Sequence, residues 1–265
     1  MAETLEQVWA SSLDASSIPP ELNDQFVCGL ELEVEDVREF NDLDLLNVNS
    51  VEDGSLRNSG REFLLPPDTL EGQMHRLRTL YNPKNRFIIR GPDAYSTRTS
   101  VHVHVNCRCL SRTSVRSIVL LYSIFEPVFF RFAGSARANN IHCVPLHWTH
   151  LSNYYGGALE LLIKKWSKYT ALNLKPLSKL GTLEFRHLYG TDDQQVIETW
   201  LRMIRVIWEA GRNLQIKRQL VLGTMTKLKE IEQQLITDGV HKYAKEPIDF
   251  RLEDNLLDFK LQFLP

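Results

Sequence analysis

The chain has 265 residues, of which 43% are hydrophobic, 24% charged and 9% aromatic, with a formal net charge of −2. These proportions allow a sizeable core and set aside bulk disorder, collagen-like repeats and membrane classes. The near-neutral balance argues against a polyanion-binding surface as the main role. Four cysteines (28, 107, 109, 143) at irregular spacing suit free thiols in a reducing compartment. The opening MAETLEQVWASS has no export signal and no apolar run approaches a membrane span, so one cytoplasmic domain over residues 1–265 is expected.

Residues 1–25 form an N-terminal arm, with a helical pattern at Leu5, Val8, Trp9 and Leu13 and then an Ile18-Pro19-Pro20 turn. Residues 26–190 hold the patterned strands. In Cys28 to Asp36, CGLELEVED, a period of two sends Leu30, Leu32 and Val34 to one face and Glu31, Glu33 and Glu35 to the other. A polar segment from Asn41 to Asn58 follows, with an Asp53-Gly54-Ser55 turn. Arg61 to Leu65 is a short strand stopped by Pro66-Pro67, and Thr69 opens a helix through Leu70, Met74, Leu77 and Leu80.

Arg86 to Arg90 is a buried strand. In Ser100 to Asn106, SVHVHVN, the valines oppose His102, His104 and Asn106. Ser111 or Thr113 caps an apolar helix that runs through Phe132 with Pro127 inside it. Gly134 to His150 is irregular, Tyr154 to Gly157 is a turn, and an amphipathic helix ends near Trp166 and Lys168. Tyr169 to Leu174 is a strand with Tyr169, Ala171 and Asn173 on one face. In Leu183 to Leu188, Glu184 and Arg186 oppose Leu183, Phe185 and His187. Residues 191–265 hold the C-terminal helices and tail: one helix opened by a Thr191/Gln194 capping box, and a second over roughly 216–236 that stops at Gly239.

The strands and helices alternate too irregularly for a βαβ series, which predicts an α+β sheet covered by helices on one face. The polar faces of the strands can then converge on the open side and bring together Glu31, Glu33, Glu62, His102, His104, Glu184 and Arg186. Like charges on one strand face repel, and a cation relieves them. Oxygen donors favour Mg²⁺ or Mn²⁺, the latter tolerating imidazole, and an arginine among acids suits a bound phosphate.

Each strand alone has a plainer explanation: an exposed acidic edge, two neutral histidines, or a cross-strand ion pair. Their joint occurrence favours a site. A zinc site from His102, His104, Cys107 and Cys109 conflicts with strand alternation, and His142, Cys143, His147 and His150 match no common zinc spacing. Lys164, Lys165 and Lys168 suit a solvated helix face. Neither a P-loop nor a dinucleotide fingerprint occurs.

The ordered set GLELEVE, DGSL with GREFLLPP, SVHVHVN, Arg131 to Asn140, KYTALNL and GTLEFRHLYGTDD resembles the amidoligases of phages and bacteria, relatives of glutamine synthetase and glutamate–cysteine ligase. The likeness spans about Gly29 to Trp200. It implies a curved antiparallel sheet of the glutamine synthetase-like catalytic type. It also implies an ATP- and Mg²⁺-dependent ligase that joins a carboxylate to an amine through an acyl phosphate. Glu31, Glu33, Glu62, His102 and Glu184 would be metal ligands, although either histidine could coordinate. His104 would lie beside the γ-phosphate, Arg186 would hold the transferred phosphoryl group, and Arg131 and Asn139 fall where relatives bind substrate or nucleotide. Asp53 or Glu35 could take the amine proton.

The substrates expected are a small-molecule or peptide carboxylate and an amine. Nucleic acid is expected only as a modified-base substrate, no membrane partner is expected, and an oligomer is left open. The alternatives are a metal-dependent phosphohydrolase or phosphotransferase, which needs no amine site, and a non-catalytic binding or structural protein on the same fold.

Overall fold

Period-two alternation builds the floor of the molecule. The computed structural model describes residues 2–15, 18–146, 158–212 and 218–237. Its strands are β1 (Val27–Val34), β2 (Val37–Phe40), β3 (Asn49–Glu52), β4 (Arg61–Thr69), β5 (Ile88–Arg90), β6 (Ser100–Asn106), β7 (Leu172–Asn173) and β8 (Thr182–Tyr189). Six of them form one sheet in the order β3-β4-β1-β6-β8-β7, every pair antiparallel, while β2 and β5, distant in the chain, form a separate antiparallel pair. Leu30, Leu32, Val34, Phe63, Leu65, Val101, Val103, Val105, Leu183 and Phe185 all point into one continuous core.

The helices are α1 (Leu5–Val8), α2 (Leu70–Leu80), α3 (Arg112–Ala133), α4 (Ser135–Ala138), α5 (Leu159–Lys165), α6 (Gln194–Gly211) and α7 (Arg218–Thr237). The apolar face of the sheet is covered by α2, which packs on β1 and β4, and by α3, which packs on β8. α6 lies against both helices, and α7 lies on α6. The fold is therefore α+β, an antiparallel sheet with packed helices. His187, on the covered face of β8, is fully buried among Tyr122, Phe129, Phe130 and Trp200. Burial, and secondarily the charge of Arg137, push its imidazole down to about 3, so it is a neutral core residue.

Several elements depart from the sequence expectations. Arg61 to Leu65 does not stop at Pro66-Pro67: β4 runs on to Thr69. The prolines fall where the β1–β4 register slips between Cys28 and Leu30, and β3 has already ended opposite Leu64, so no ladder donor is lost. The buried Gln73 amide donates to Cys28 O and Pro66 O, at 2.5 and 2.7 Å, on either side of that irregularity. Glu35 lies beyond the end of β1, where Asp36 has a positive φ of 49°, and so leaves the alternation of Glu31 and Glu33. β3 arises inside the polar segment from Asn41 to Asn58, α4 inside the stretch expected to be irregular, and β2 in residues for which no element was expected. The expected strand Tyr169 to Leu174 shrinks to Leu172–Asn173, and Tyr169 is exposed.

The arm helix is a single turn, closed by a Thr4/Gln7 capping box, so Leu13 lies outside it. α6 is capped by Asp193, whose Oδ1 accepts from the amides of Gln195 and Val196. The Thr191 hydroxyl instead holds the Asp193 amide. Among the described residues α3 is long and apolar enough to cross a membrane, more than the sequence pattern suggested, but 83% of that stretch is buried against the sheet and α6. The expected turn at Tyr154 to Gly157, His147, His150, and the stop at Gly239 with the tail lie outside the described residues.

Gly211, in the last turn of α6, marks the closest approach of two helices. A Cβ there would lie 2.4 Å from Ile118 Cγ1 and 2.7 Å from Ile118 Cα, so α3 backbone would have to move. Gly211→Ala is expected to lower unfolding free energy by about 1–3 kcal/mol in denaturant titration, despite the better helix propensity of alanine. An unchanged midpoint would show that α6 and α3 pack less tightly.

Candidate functional site

Strand register decides which side chains meet on the open face. Cross-strand pairing sets Glu62 opposite Glu33, Glu31 between Leu64 and His102, and His104 between Gly29 and Glu184, with Glu184 also opposite Asn173. Of the residues singled out from sequence, Glu31, Glu33, Glu62, His102, His104, Glu184 and Arg186 are thus brought onto one surface.

Glu31 sits at the centre. Its Oε2 lies 3.0 Å from His102 Nδ1, and its Oε1 lies 2.9 Å from His104 Nε2. The other nitrogen of His102 meets Ser100 Oγ at 2.9 Å, and that hydroxyl donates to Glu33 Oε2 at 2.5 Å. His104 Nδ1 is 3.0 Å from Thr182 Oγ1. Glu184 Oε2 accepts from Asn173 Nδ2 at 2.6 Å, while its Oε1 pairs with Arg186 and lies 3.7 Å from His102 Nδ1.

Two features of this network are unresolved by its own hydrogen bonds. His104 Nε2 is buried and, although close to Glu31, has no hydrogen-bond geometry to any partner among the described residues. Glu62 is pushed up to about 8 by its own burial and then by the charges of Glu31, Glu33 and Asp53, with a hydrogen bond to Glu31. Burial would also raise Glu31, but the two imidazoles hold it far below the usual carboxylate range. His104, which burial would lower, is raised overall by Glu31 and Glu184. Histidines thus stabilise one carboxylate and its charge keeps the neighbouring one protonated.

Donor atoms of Glu31, Glu62 and His102 lie within 4.8 Å of one another, and so do those of Glu31, His104 and Glu184. Both groups include Glu31. A buried imidazole nitrogen that faces Glu31 without hydrogen-bond geometry, a carboxyl awaiting deprotonation and a set of oxygen and imidazole donors fit a divalent cation such as Mn²⁺ or Mg²⁺. No cysteine belongs to either group. Cys107 is buried in the core, its thiol raised by that burial, and it bonds to Val105 O.

The remaining candidates are placed differently. Asp53 accepts the amide and hydroxyl of Ser55 at 2.8 Å each, closing a turn whose charge reaches Glu62. Buried Glu35 accepts the Arg57 amide at 2.9 Å and holds that loop. Arg131, at the end of α3, and Asn139, after α4, are exposed and belong to neither group. The arginine of that segment that lies near the cluster is Arg137. It is buried, donates to the carbonyls of His187, Thr97 and Arg186, and has its charge felt by Glu33 and Arg186. No periodicity marks it. Ser100 was also missed, although alternation in SVHVHVN sets it on the histidine face.

Compared with family models and with curated proteins, the chain matches none.

The Glu62 carboxyl yields a pH dependence. Its folded value near 8 exceeds the ordinary 4.5, so the folded state binds the extra proton. The metal-free protein then loses stability as pH rises through that window. Glu62→Gln is expected to raise the melting temperature of metal-free protein by a few degrees at pH 8 and by little at pH 5. In the unsubstituted protein Mn²⁺ should stabilise more at pH 8 than at pH 6, because binding expels the proton. Equal metal shifts at the two pH values in differential scanning fluorimetry would contradict this.

Proposed function

We propose that the chain is an ATP- and Mg²⁺- or Mn²⁺-dependent carboxylate–amine ligase of the phage-type amidoligase class, working in the cytoplasm on a curved, glutamine synthetase-like sheet. The observation that carries this reading is the pair of donor groups that share Glu31, with a guanidinium beside Glu184, on the open face of the sheet. Glu31, Glu62 and His102 would hold one cation, and Glu31, His104 and Glu184 a second. When bound, such cations neutralise the triphosphate and align its γ-phosphoryl group.

The chain's own side chains supply orientation and charge. Glu33 fixes the Ser100 hydroxyl, which fixes the His102 ring and leaves its Nδ1 facing Glu31 and Glu184. Asn173 holds one oxygen of Glu184 and leaves the other to Arg186. Arg186 can exchange that carboxylate for the transferred phosphoryl group, two of whose oxygens a planar guanidinium can bind in parallel. A substrate carboxylate oxygen attacks the γ-phosphorus and ADP leaves. The amine nitrogen then attacks the acyl carbon, phosphate leaves, and the amine gives up a proton. Glu35 is buried and holds the Arg57 loop, whereas Asp53, half-buried with its charge reaching Glu62, has lone pairs beyond its two Ser55 bonds and is the candidate to receive it.

One observation favours a second reading. Glu33, Ser100, His102 and Glu31 already bond into one chain and Asn173, Glu184 and Arg186 into another, and a non-catalytic protein could use both purely to fix its sheet.

The test is metal-dependent ATP turnover with Glu184→Ala. We expect a normally folded variant whose turnover falls by about 100-fold or more, the scale of several kcal/mol of lost charge stabilisation. Retained turnover would remove Glu184 from the site. A folded parent protein that binds neither metal nor ATP would favour the non-catalytic reading.

A further inference from the structure

β8 carries an irregularity beside the acidic cluster. Val103 pairs with Phe185 and Val101 with Leu188, so between these pairs β6 passes one residue, His102, while β8 passes two, Arg186 and His187. This is a β-bulge, which breaks the ladder locally and lets the bulged strand re-aim a side chain. Alternation breaks with it: His187 and Leu188 are consecutive and both fully buried. Arg186, at the same bulge, turns its guanidinium to Glu184 on the open face.

Buried carbonyls at a broken ladder need donors from elsewhere. Arg137 supplies them: its Nε donates to His187 O at 3.1 Å, its Nη2 to Arg186 O at 3.2 Å, and its Nη1 to Thr97 O, in the loop before β6, at 3.3 Å. Asn140 Nδ2 donates to the same Thr97 oxygen at 2.9 Å, and Asn140 Oδ1 accepts the His142 amide at 2.8 Å. The chain then returns to the bulge, where His142 O accepts from Arg186 Nε at 3.3 Å. Residues 137–142 therefore grip Arg186 twice, by its backbone through Arg137 and by its head through His142.

Arg137 is only 5% exposed and each of its three nitrogens is engaged by a backbone oxygen, so it serves the shape of the site and not a ligand. Three separate carbonyls suit a planar fork of donors, which the single nitrogen of a lysine does not reproduce. Resting on the ligase reading, we infer that Arg137 is a positioning residue: with Asn140 and His142 it fixes the β8 bulge so that Arg186 faces the transferred phosphoryl group, without itself meeting substrate.

The experiment uses the full chain and two variants. Arg137→Lys keeps the charge and loses the fork; Asn140→Ala cuts the ties of the same segment to Thr97 and His142, and serves as the probe should Arg137→Lys not fold. Proton exchange at Arg186 Nε–H, identified by nuclear magnetic resonance as the signal absent from Arg186→Met, is measured beside calorimetric titration with inorganic tripolyphosphate and Mg²⁺. We expect that exchange to accelerate about tenfold in Arg137→Lys and less in Asn140→Ala. Tripolyphosphate affinity should fall about tenfold in Arg137→Lys, and no further when the same change is made in Arg186→Met. Unchanged Arg186 exchange in the folded variants would overturn the inference. So would an equal loss of affinity with and without the Arg186 guanidinium, since Arg137 would then act on the ligand or the fold directly. Faster exchange in a protein that binds no tripolyphosphate would keep the positioning of Arg186 and remove the ligase reading instead.

Discussion

The carboxylate of Glu31, pinched between two imidazoles, is the constraint on which the open face of the sheet depends. A half-buried carboxylate is costly unless its charge is met, and His102 and His104 meet it from the neighbouring strand. They can do so because the β1–β6 register sets His102 opposite Glu31 and His104 opposite Gly29, one step along. A one-residue slip would turn both imidazoles into the core and the valines outward. The valines and leucines behind the strands fix the register through packing, so the hydrophobic core determines the chemistry of the opposite face.

That arrangement satisfies Glu31 at the expense of Glu62. The charge on Glu31 keeps its neighbour protonated, and His104 Nε2 meets Glu31 as an ion-pair contact without hydrogen-bond geometry. Natural cores hold few such groups, and together they describe a surface completed by positive charge from outside the chain. The surrounding hydrogen bonds have a different character. Ser100, Glu33 and Asn173 orient the inner groups through single bonds that would persist with or without a cation. The centre is thus electrostatically incomplete within a rim that is geometrically complete.

Much of this was legible in the sequence because strand alternation is a strict rule. GLELEVE, SVHVHVN and LEFRHL each separate core from site by parity alone, and the three strands are adjacent in the sheet. What could not be read depends on register and on irregular backbone. The proline pair looked like a strand terminator because its harmlessness requires knowing that β3 ends opposite Leu64 and that β1 is irregular at Gly29. Glu35 looked equivalent to Glu31 and Glu33 until the left-handed Asp36 ended the alternation. Arg137 carries no pattern at all: its position follows from three carbonyls contributed by β8 and the loop before β6.

In the proposed site one carboxylate, that of Glu31, serves two cations. Mn²⁺ titration followed by electron paramagnetic resonance, on the parent protein and on Glu31→Gln, addresses it without knowledge of any substrate. The account predicts two bound Mn²⁺ per chain in the parent and loss of both in the variant, because both donor groups include Glu31. A variant that stays folded and still binds Mn²⁺ with parental affinity and stoichiometry would contradict it.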